Sequence, residues 1–285
     1  MTTIRDYFRQ TVGRLAPLGS EAEYTARIIF EDVAGYDRNY IFVNGDREIL
    51  DFTMRHISDA VERVLAGEPV QYVVGKARFM GMDFTVTQDV LIPRPETEGL
   101  VDMITDRWEG KSDLRVLDVC TGSGCIAVAL SRALPFARVD GIDISDGALA
   151  VAKKNATNLH AGVDFRKADA LSLRASSAPE YDIIVSNPPY VCESEKATMD
   201  DRVLSYEPAL ALFVPDSDPL KFYNAIADYA RKALRPSGQL FFEINPRFAK
   251  EISEMLSAKG FTGVGIFRDY LGAERYAAAT QSSES

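Results

Sequence analysis

The sequence has 285 residues, 46% of them hydrophobic and 26% charged, with a formal net charge of −10. That balance supports a buried core in one large or two modest domains, and it excludes wholesale disorder, collagen-like repeats and a disulfide scaffold. The acidic total disfavours a protein that grips long nucleic acid through its phosphates, two histidines disfavour an imidazole metal centre, and three cysteines fit reduced thiols in a cytoplasmic protein.

The N-terminal residues lack the apolar core of a signal peptide, and no apolar run approaches the length of a membrane span. Through about residue 75 the pattern is helical. Ala22, Ala26, Ile29 and Val33 recur at helical spacing, as do Leu50, Met54, Ile57, Val61 and Leu65. Ser20 with Glu23 reads as a capping box, and Gly67-Glu-Pro69 stops the second helix. Residues 1–75 are therefore expected to form a small helical domain. Two short β-prone runs broken near Gly81 predict a hairpin connector over 76–93, and Pro93-Arg-Pro95-Glu-Thr-Glu98 reads as a turn into a helix.

From about residue 114 strands and helices alternate. Leu114–Val119, Ala137–Asp143, Tyr181–Ser186 and Gln239–Ile244 read as buried strands. Between them lie helical stretches at Ile126–Leu134, Ser145–Leu159 and Leu220–Leu234. Alternation of this kind implies a doubly wound, mostly parallel sheet. Phe261–Asp269 and Arg275–Thr280 follow without a helix between them, which predicts an antiparallel end. The last five residues read as a loose tail.

Asp118-Val-Cys-Thr-Gly-Ser-Gly124 joins the first of these strands to a helix, where glycines let backbone approach a ligand closely. Gly122 to Ala127 also fits a dinucleotide fingerprint with Asp143 about twenty residues on, so dehydrogenase and methyltransferase readings stay level at this point. An acid at the end of the second strand, Asp143, binds ribose hydroxyls in either fold. Asp169 lies where a methyltransferase sheet faces adenine; an N-cap or surface role is the alternative.

Asn187-Pro-Pro-Tyr190 decides between them. It ends a buried strand, and the prolines force an extended corner in which the Asn187 side-chain oxygen and the Pro188 carbonyl have no local donor. Two fixed acceptors match the two N–H groups of a planar amide or aryl amine, and Tyr190 can pack on its plane. Holding both N–H groups aims a poorly nucleophilic nitrogen at an activated methyl group. Hydride transfer needs no such corner.

Taken together, Gly67-Glu-Pro-Val-Gln-Tyr72, Leu91-Ile-Pro-Arg-Pro-Glu-Thr-Glu98, Val116–Gly124, Ser186–Tyr190, Tyr206-Glu-Pro208 and Arg268-Asp-Tyr270 make the chain resemble the peptide-chain-release-factor N5-glutamine methyltransferases, the PrmC/HemK family. The resemblance implies a seven-stranded methyltransferase sheet over 94–285, S-adenosylmethionine as cofactor, and the glutamine of a Gly-Gly-Gln motif in class 1 release factors as substrate. It implies that Cys120, Thr121, Gly122, Ser123 and Gly124 hold the methionine part, with Asp118 and Asn187 also among the cofactor-binding residues. Asp143 would hold the ribose, Asp169 and Ala170 the adenine, and Asn187, Pro188, Pro189 and Tyr190 the glutamine amide. The helical domain would contact the release factor. Cys120 stands where the family commonly has glycine, and Ala170 where some members carry an aromatic. An adenine-N6 methyltransferase of DNA or RNA, which shares the Asn-Pro-Pro-Tyr motif, is the runner-up, and a non-enzymatic cofactor-binding module comes third.

Overall fold

A computed structural model describes residues 1–176 and 178–282, which divide into two compact units: Met1–Lys76 with Asp200–Tyr206, and Ala77–Met199 with Glu207 onward. No helix among the described residues is long and apolar enough to cross a membrane.

The first unit is helical, with its longest helices at Ala22–Ala34 and Asp51–Leu65. Ala26, Ile29, Phe30, Ile57 and Val61 are fully buried between them, following the helical spacing of the sequence. The expected Ser20–Glu23 capping box is absent. Ala16–Glu21 forms a 3-10 segment kinked at Gly19 that runs straight into the helix, so the N-cap is Glu21, without a side-chain bond. Glu23 pairs instead with Arg27 one turn on. Leu50, read as a core position, is an exposed N-cap. Within the same unit Arg202 reaches Glu21 at 3.0 Å and the Tyr206 hydroxyl donates to the Ala66 carbonyl.

The second unit is built on seven strands: β1 (Arg115–Val119), β2 (Arg138–Asp143), β3 (Val163–Lys167), β4 (Tyr181–Ser186), β5 (Leu234–Glu243), β6 (Thr262–Arg268) and β7 (Glu274–Thr280). Their order is β6-β7-β5-β4-β1-β2-β3. The five strands from β5 to β3 are parallel, and β7 runs antiparallel to both of its neighbours. Successive residues face opposite sides of the sheet. Val116, Ile183 and Phe241 pack under the helices Pro95–Trp108 and Cys125–Ala133. Leu117, Ile184 and Phe242 meet Lys221–Ala233 and Ala249–Ala258 on the other face. Both faces are covered, which is why these strands read as continuous apolar runs.

A hairpin, Lys76–Phe79 with Met82–Thr85, precedes the sheet and turns at Met80 and Gly81, both with positive φ. Asn155, fully buried on the helix Asp146–Asn158, bonds the hairpin through both Thr85 backbone groups and donates to the Ser123 carbonyl. At the other end, Gln281 is no part of a loose tail: it is buried and bonded to Arg231. Residues 283–285 of that expected tail lie outside the described residues.

Gly141, in the middle of β2, leaves room for a neighbour. A Cβ there would stand 2.5 Å from the Phe165 ring and 3.1 Å from Thr121 Oγ1. Gly141→Ala is expected to cost about 1–3 kcal/mol through overpacking, measured as a lower denaturant midpoint at unchanged slope. An unchanged midpoint would mean that the Phe165 ring yields freely.

Candidate active site

The carboxyl ends of four adjacent parallel strands, β1 to β4, line the site, as expected for ligands in open α/β sheets. After β1 the chain enters a loop in which Cys120, Gly122 and Gly124 all have positive φ. Gly124 needs its lack of a side chain twice over, because a Cβ would also meet Ala152 and the Phe165 ring at 3.1 Å. Cys120 adopts φ 62° with a side chain, a conformation that costs free energy in any non-glycine residue. Burial, together with Asp143 and Asp118 nearby, pushes its thiol pKa well up, so it offers no thiolate nucleophile.

Asp118 lies beneath the loop and does not line the cavity. Its Oδ2 accepts from Thr121 Oγ1 at 2.6 Å and from the Ala127 amide at 3.2 Å, clamping the loop to the start of the following helix. Burial raises its pKa to about 7 against the lowering effect of those bonds. The other oxygen, Oδ1, and Ser123 Oγ are buried without a hydrogen-bond partner.

Asp143, at the end of β2, accepts from the Gly122 amide and the Ser145 amide, each at 2.9 Å. Each oxygen keeps a second lone pair for a ligand hydroxyl. After β3, Asp169 forms an Asx turn with the Leu171 amide, and no helix starts there, so it is not an N-cap. Ala170 is buried and, with Ile142, Ile144 and Leu171, contributes an apolar wall.

A cavity of about 420 Å³ joins these groups; Cys120 to Ser123, Asp143, Asp169, Ala170, Asn187 and Pro189 line it, along with Phe213 and Phe222. Gly124, Pro188 and Tyr190 stand outside that lining. The fit to S-adenosylmethionine is chemical. A glycine loop approaches with open space at Gly122. Two carboxylates stand ready for hydroxyl and amine donors, a buried Ser123 hydroxyl lacks a partner, and an apolar slot is present.

The corner after β4 is held from several sides. Ser186 Oγ donates to the Val119 carbonyl at 2.6 Å. Asn245 Nδ2 donates to the Tyr190 carbonyl and to Glu195. The Tyr190 hydroxyl donates to Glu243 Oε1 at 3.0 Å, which fixes the far end of its ring. Asn187 Nδ2 donates to Thr97 Oγ1 at 3.4 Å. Among the described residues no donor reaches Asn187 Oδ1 or the Pro188 carbonyl.

Sequence reasoning left Arg94 and Glu207 without a residue-level role, and it passed over Thr97, Glu243 and Asn245. In the structure Arg94 and buried Glu207 form an ion pair at 2.5 Å, and Glu207 also accepts from the Ile92 amide. The Ile-Pro-Arg-Pro and Glu-Pro segments are thus parts of one contact at the cavity rim. Glu243 did carry a signal: an acid inside the apolar run Leu240-Phe-Phe-Glu-Ile244, at the carboxyl end of a buried strand. Among the described residues no cluster of His, Cys, Asp and Glu side chains forms a metal site.

Residues 6–75 match the family described as PrmC N-terminal domain and residues 96–205 that described as Methyltransferase small domain. The chain is similar to a release factor glutamine methyltransferase of Bacteroides thetaiotaomicron, 42% identical over 99% of this chain and 100% of that one. A protein of the same description from Flavobacterium psychrophilum is 38% identical over 95% and 97% of the two chains. Among solved structures, a methyltransferase from Pyrococcus furiosus shares the fold at 15% identity with a TM-score of 0.53, covering 79% of this chain and 99% of that one.

Proposed function

The chain belongs to the release factor glutamine methyltransferase family, and from that premise we propose that it methylates the side-chain amide nitrogen (N5) of the glutamine in the Gly-Gly-Gln motif of class 1 release factors. The reading places the enzyme in the cytoplasm and gives the helical residues 1–75 the task of recognising the protein substrate. When bound, S-adenosylmethionine supplies a methyl group activated by a sulfonium. The chain itself has to bind, orient and shield the amide.

One observation carries the proposal: two carbonyl-type acceptors, Asn187 Oδ1 and Pro188 O, have no donor among the described residues, and Asn187 lines the cavity. An amide NH2 offers two donors in one plane, so it matches them; a carboxylate offers none and leaves both acceptors unpaired, a large penalty. With both N–H bonds accepted, electron density on nitrogen rises and its approach is fixed, so catalysis is mainly positioning and electrostatics. No strong base is needed, because a protonated N-methyl amide is acidic enough to lose its proton to water. Asp143 serves the ribose, Asp169 and the Ala170 wall the adenine, and the Cys120–Gly124 loop the methionine portion.

The test is incubation with labelled cofactor and purified release factor, with the methyl group mapped by mass spectrometry. Label on the glutamine of Gly-Gly-Gln, lost in a Gly-Gly-Glu variant, is the expected result. Methylated adenine in DNA or RNA with release factor untouched would overturn it.

A further inference from the structure

An asparagine amide is nearly symmetrical in shape, and its two ends differ only in chemistry. For Asn187 that difference is decisive. If Oδ1 faces the cavity the corner accepts an amide; if Nδ2 faces it, donors meet donors. Something beyond the backbone has to choose.

We propose that Glu243 and Thr97 are positioning residues that choose it, by dictating the direction of hydrogen bonds along the chain Glu243–Thr97–Asn187. The proposal rests on the reading of Asn187 as the amide acceptor. Glu243 is the last residue of β5, the strand that runs parallel beside β4, so its side chain arises next to the Asn-Pro-Pro-Tyr corner. Thr97 stands in the first turn of the helix Pro95–Trp108. Each is 2% exposed. Thr97 Oγ1 donates to Glu243 Oε2 at 2.6 Å. A hydroxyl has a single proton, and a carboxylate can only accept, so that proton is committed to Glu243. Toward Asn187, Thr97 Oγ1 then has only lone pairs to present. The amide must offer it Nδ2, as it does at 3.4 Å, and Oδ1 is turned away from Thr97 with no donor among the described residues. The reversed amide would set Oδ1 against the Oγ1 lone pairs with no proton between them.

The same carboxylate accepts the Tyr190 hydroxyl on Oε1 at 3.0 Å. One buried acid therefore fixes both ends of the motif, the amide of Asn187 through Thr97 and the ring of Tyr190 directly. An acid between two donors is the arrangement that holds both proton directions at once; an apolar residue of the same shape would leave Thr97 and Tyr190 free to rotate their protons.

The experiment measures methyl transfer from labelled S-adenosylmethionine to purified release factor by four full-length variants. Thr97→Val keeps shape and loses the hydroxyl; it is expected to lower kcat about ten- to a hundredfold, the scale of one lost buried hydrogen bond, with cofactor affinity unchanged. Thr97→Ser, which restores the hydroxyl, should recover most of that rate. Asn187→Ala supplies the control, and Thr97→Val placed on top of it should cause no further loss, since a residue acting through Asn187 has nothing left to orient. An additive further loss would mean that Thr97 acts by general packing, and normal turnover by Thr97→Val would mean that it does not act at all; either overturns the relay while leaving the amide clamp intact. If Asn187→Ala itself turned over at the parental rate, the clamp would fail and the relay with it. Should Thr97→Val not fold, Glu243→Gln carries the same comparison, because a glutamine amide can donate to Thr97 and release its proton toward Asn187; a several-fold loss that disappears in the Asn187→Ala background is expected.

Discussion

Replacing Asn187 with alanine is expected to leave S-adenosylmethionine affinity nearly unchanged and to lower turnover by about a hundred- to a thousandfold, the usual consequence of removing one preorganised electrostatic group. Asn187 lines the cavity, but Asp143 and the Cys120–Ser123 loop supply the contacts expected to hold the cofactor. Under the proposed clamp, alanine removes the acceptor that orients the amide nitrogen. The backbone acceptor at Pro188 survives the change, so the residual rate stays above zero. Asn187→Asp is the finer variant. It keeps the shape and an acceptor, but its second oxygen now faces Thr97 Oγ1, whose proton is held by Glu243. A charged oxygen is then set against lone pairs, and the side chain has reason to rotate. The new charge also attracts the sulfonium in the ground state, which does nothing for the rate. Turnover is expected to fall here as well. Single-turnover kinetics with calorimetric cofactor affinities check both variants, and near-parental rates for Asn187→Ala would refute the clamp.

The second large effect is expected at Asp143. Alanine there should weaken S-adenosylmethionine binding by about 1.5–3 kcal/mol, the scale of hydrogen bonds to a charged acceptor. Its two oxygens already accept the Gly122 and Ser145 amides, so the variant also releases the loop that has to approach the cofactor. Asp143→Asn separates the two contributions. An amide keeps one oxygen for a backbone donor but turns an NH2 toward the other, breaking one anchor while retaining size. We expect its affinity to fall between those of the parent and Asp143→Ala. Unchanged affinity in a folded Asp143→Ala protein would remove the residue from the site.

Much of this was legible in the sequence because it depends on local pattern. Strands covered on both faces show continuous apolar runs, and β1, β4 and β5 declared themselves that way. The glycine loop and the proline corner are rigid consequences of their own residues. The helix Ala249–Ala258 was not read, although Ala249, Ile252 and Leu256 are its buried positions, because the rest of it is largely polar and charged. Ser20 misled because, past the kink at Gly19, the chain is already helical at Ser20 and Glu21, so Ser20 does not hold the cap position. The bond from the Tyr190 hydroxyl to Glu243, 53 residues on, has no signal in the corner itself. Thr97 and Glu243 lie 146 residues apart, and Arg94 and Glu207 113. Side-chain partnerships at such separations exist only once the sheet order is fixed, so single residues such as Thr97 look like ordinary helix positions beforehand.

The position of β7 bears on how the chain is made. It is the last of the seven strands in sequence order, yet it is laid between β5 and β6 rather than at a margin. During synthesis the five parallel strands can assemble first, but the outer edge of β5, carrying Phe241 and Phe242, stays uncovered until residues 274–280 leave the ribosome. For that interval the nascent protein displays an apolar strand with unpaired backbone groups, the template on which sheets aggregate. The hairpin with β6 covers that edge, so a frameshift that removes only the final strand strips an interior member from the sheet and bares the side of β5 that is paired in the finished protein.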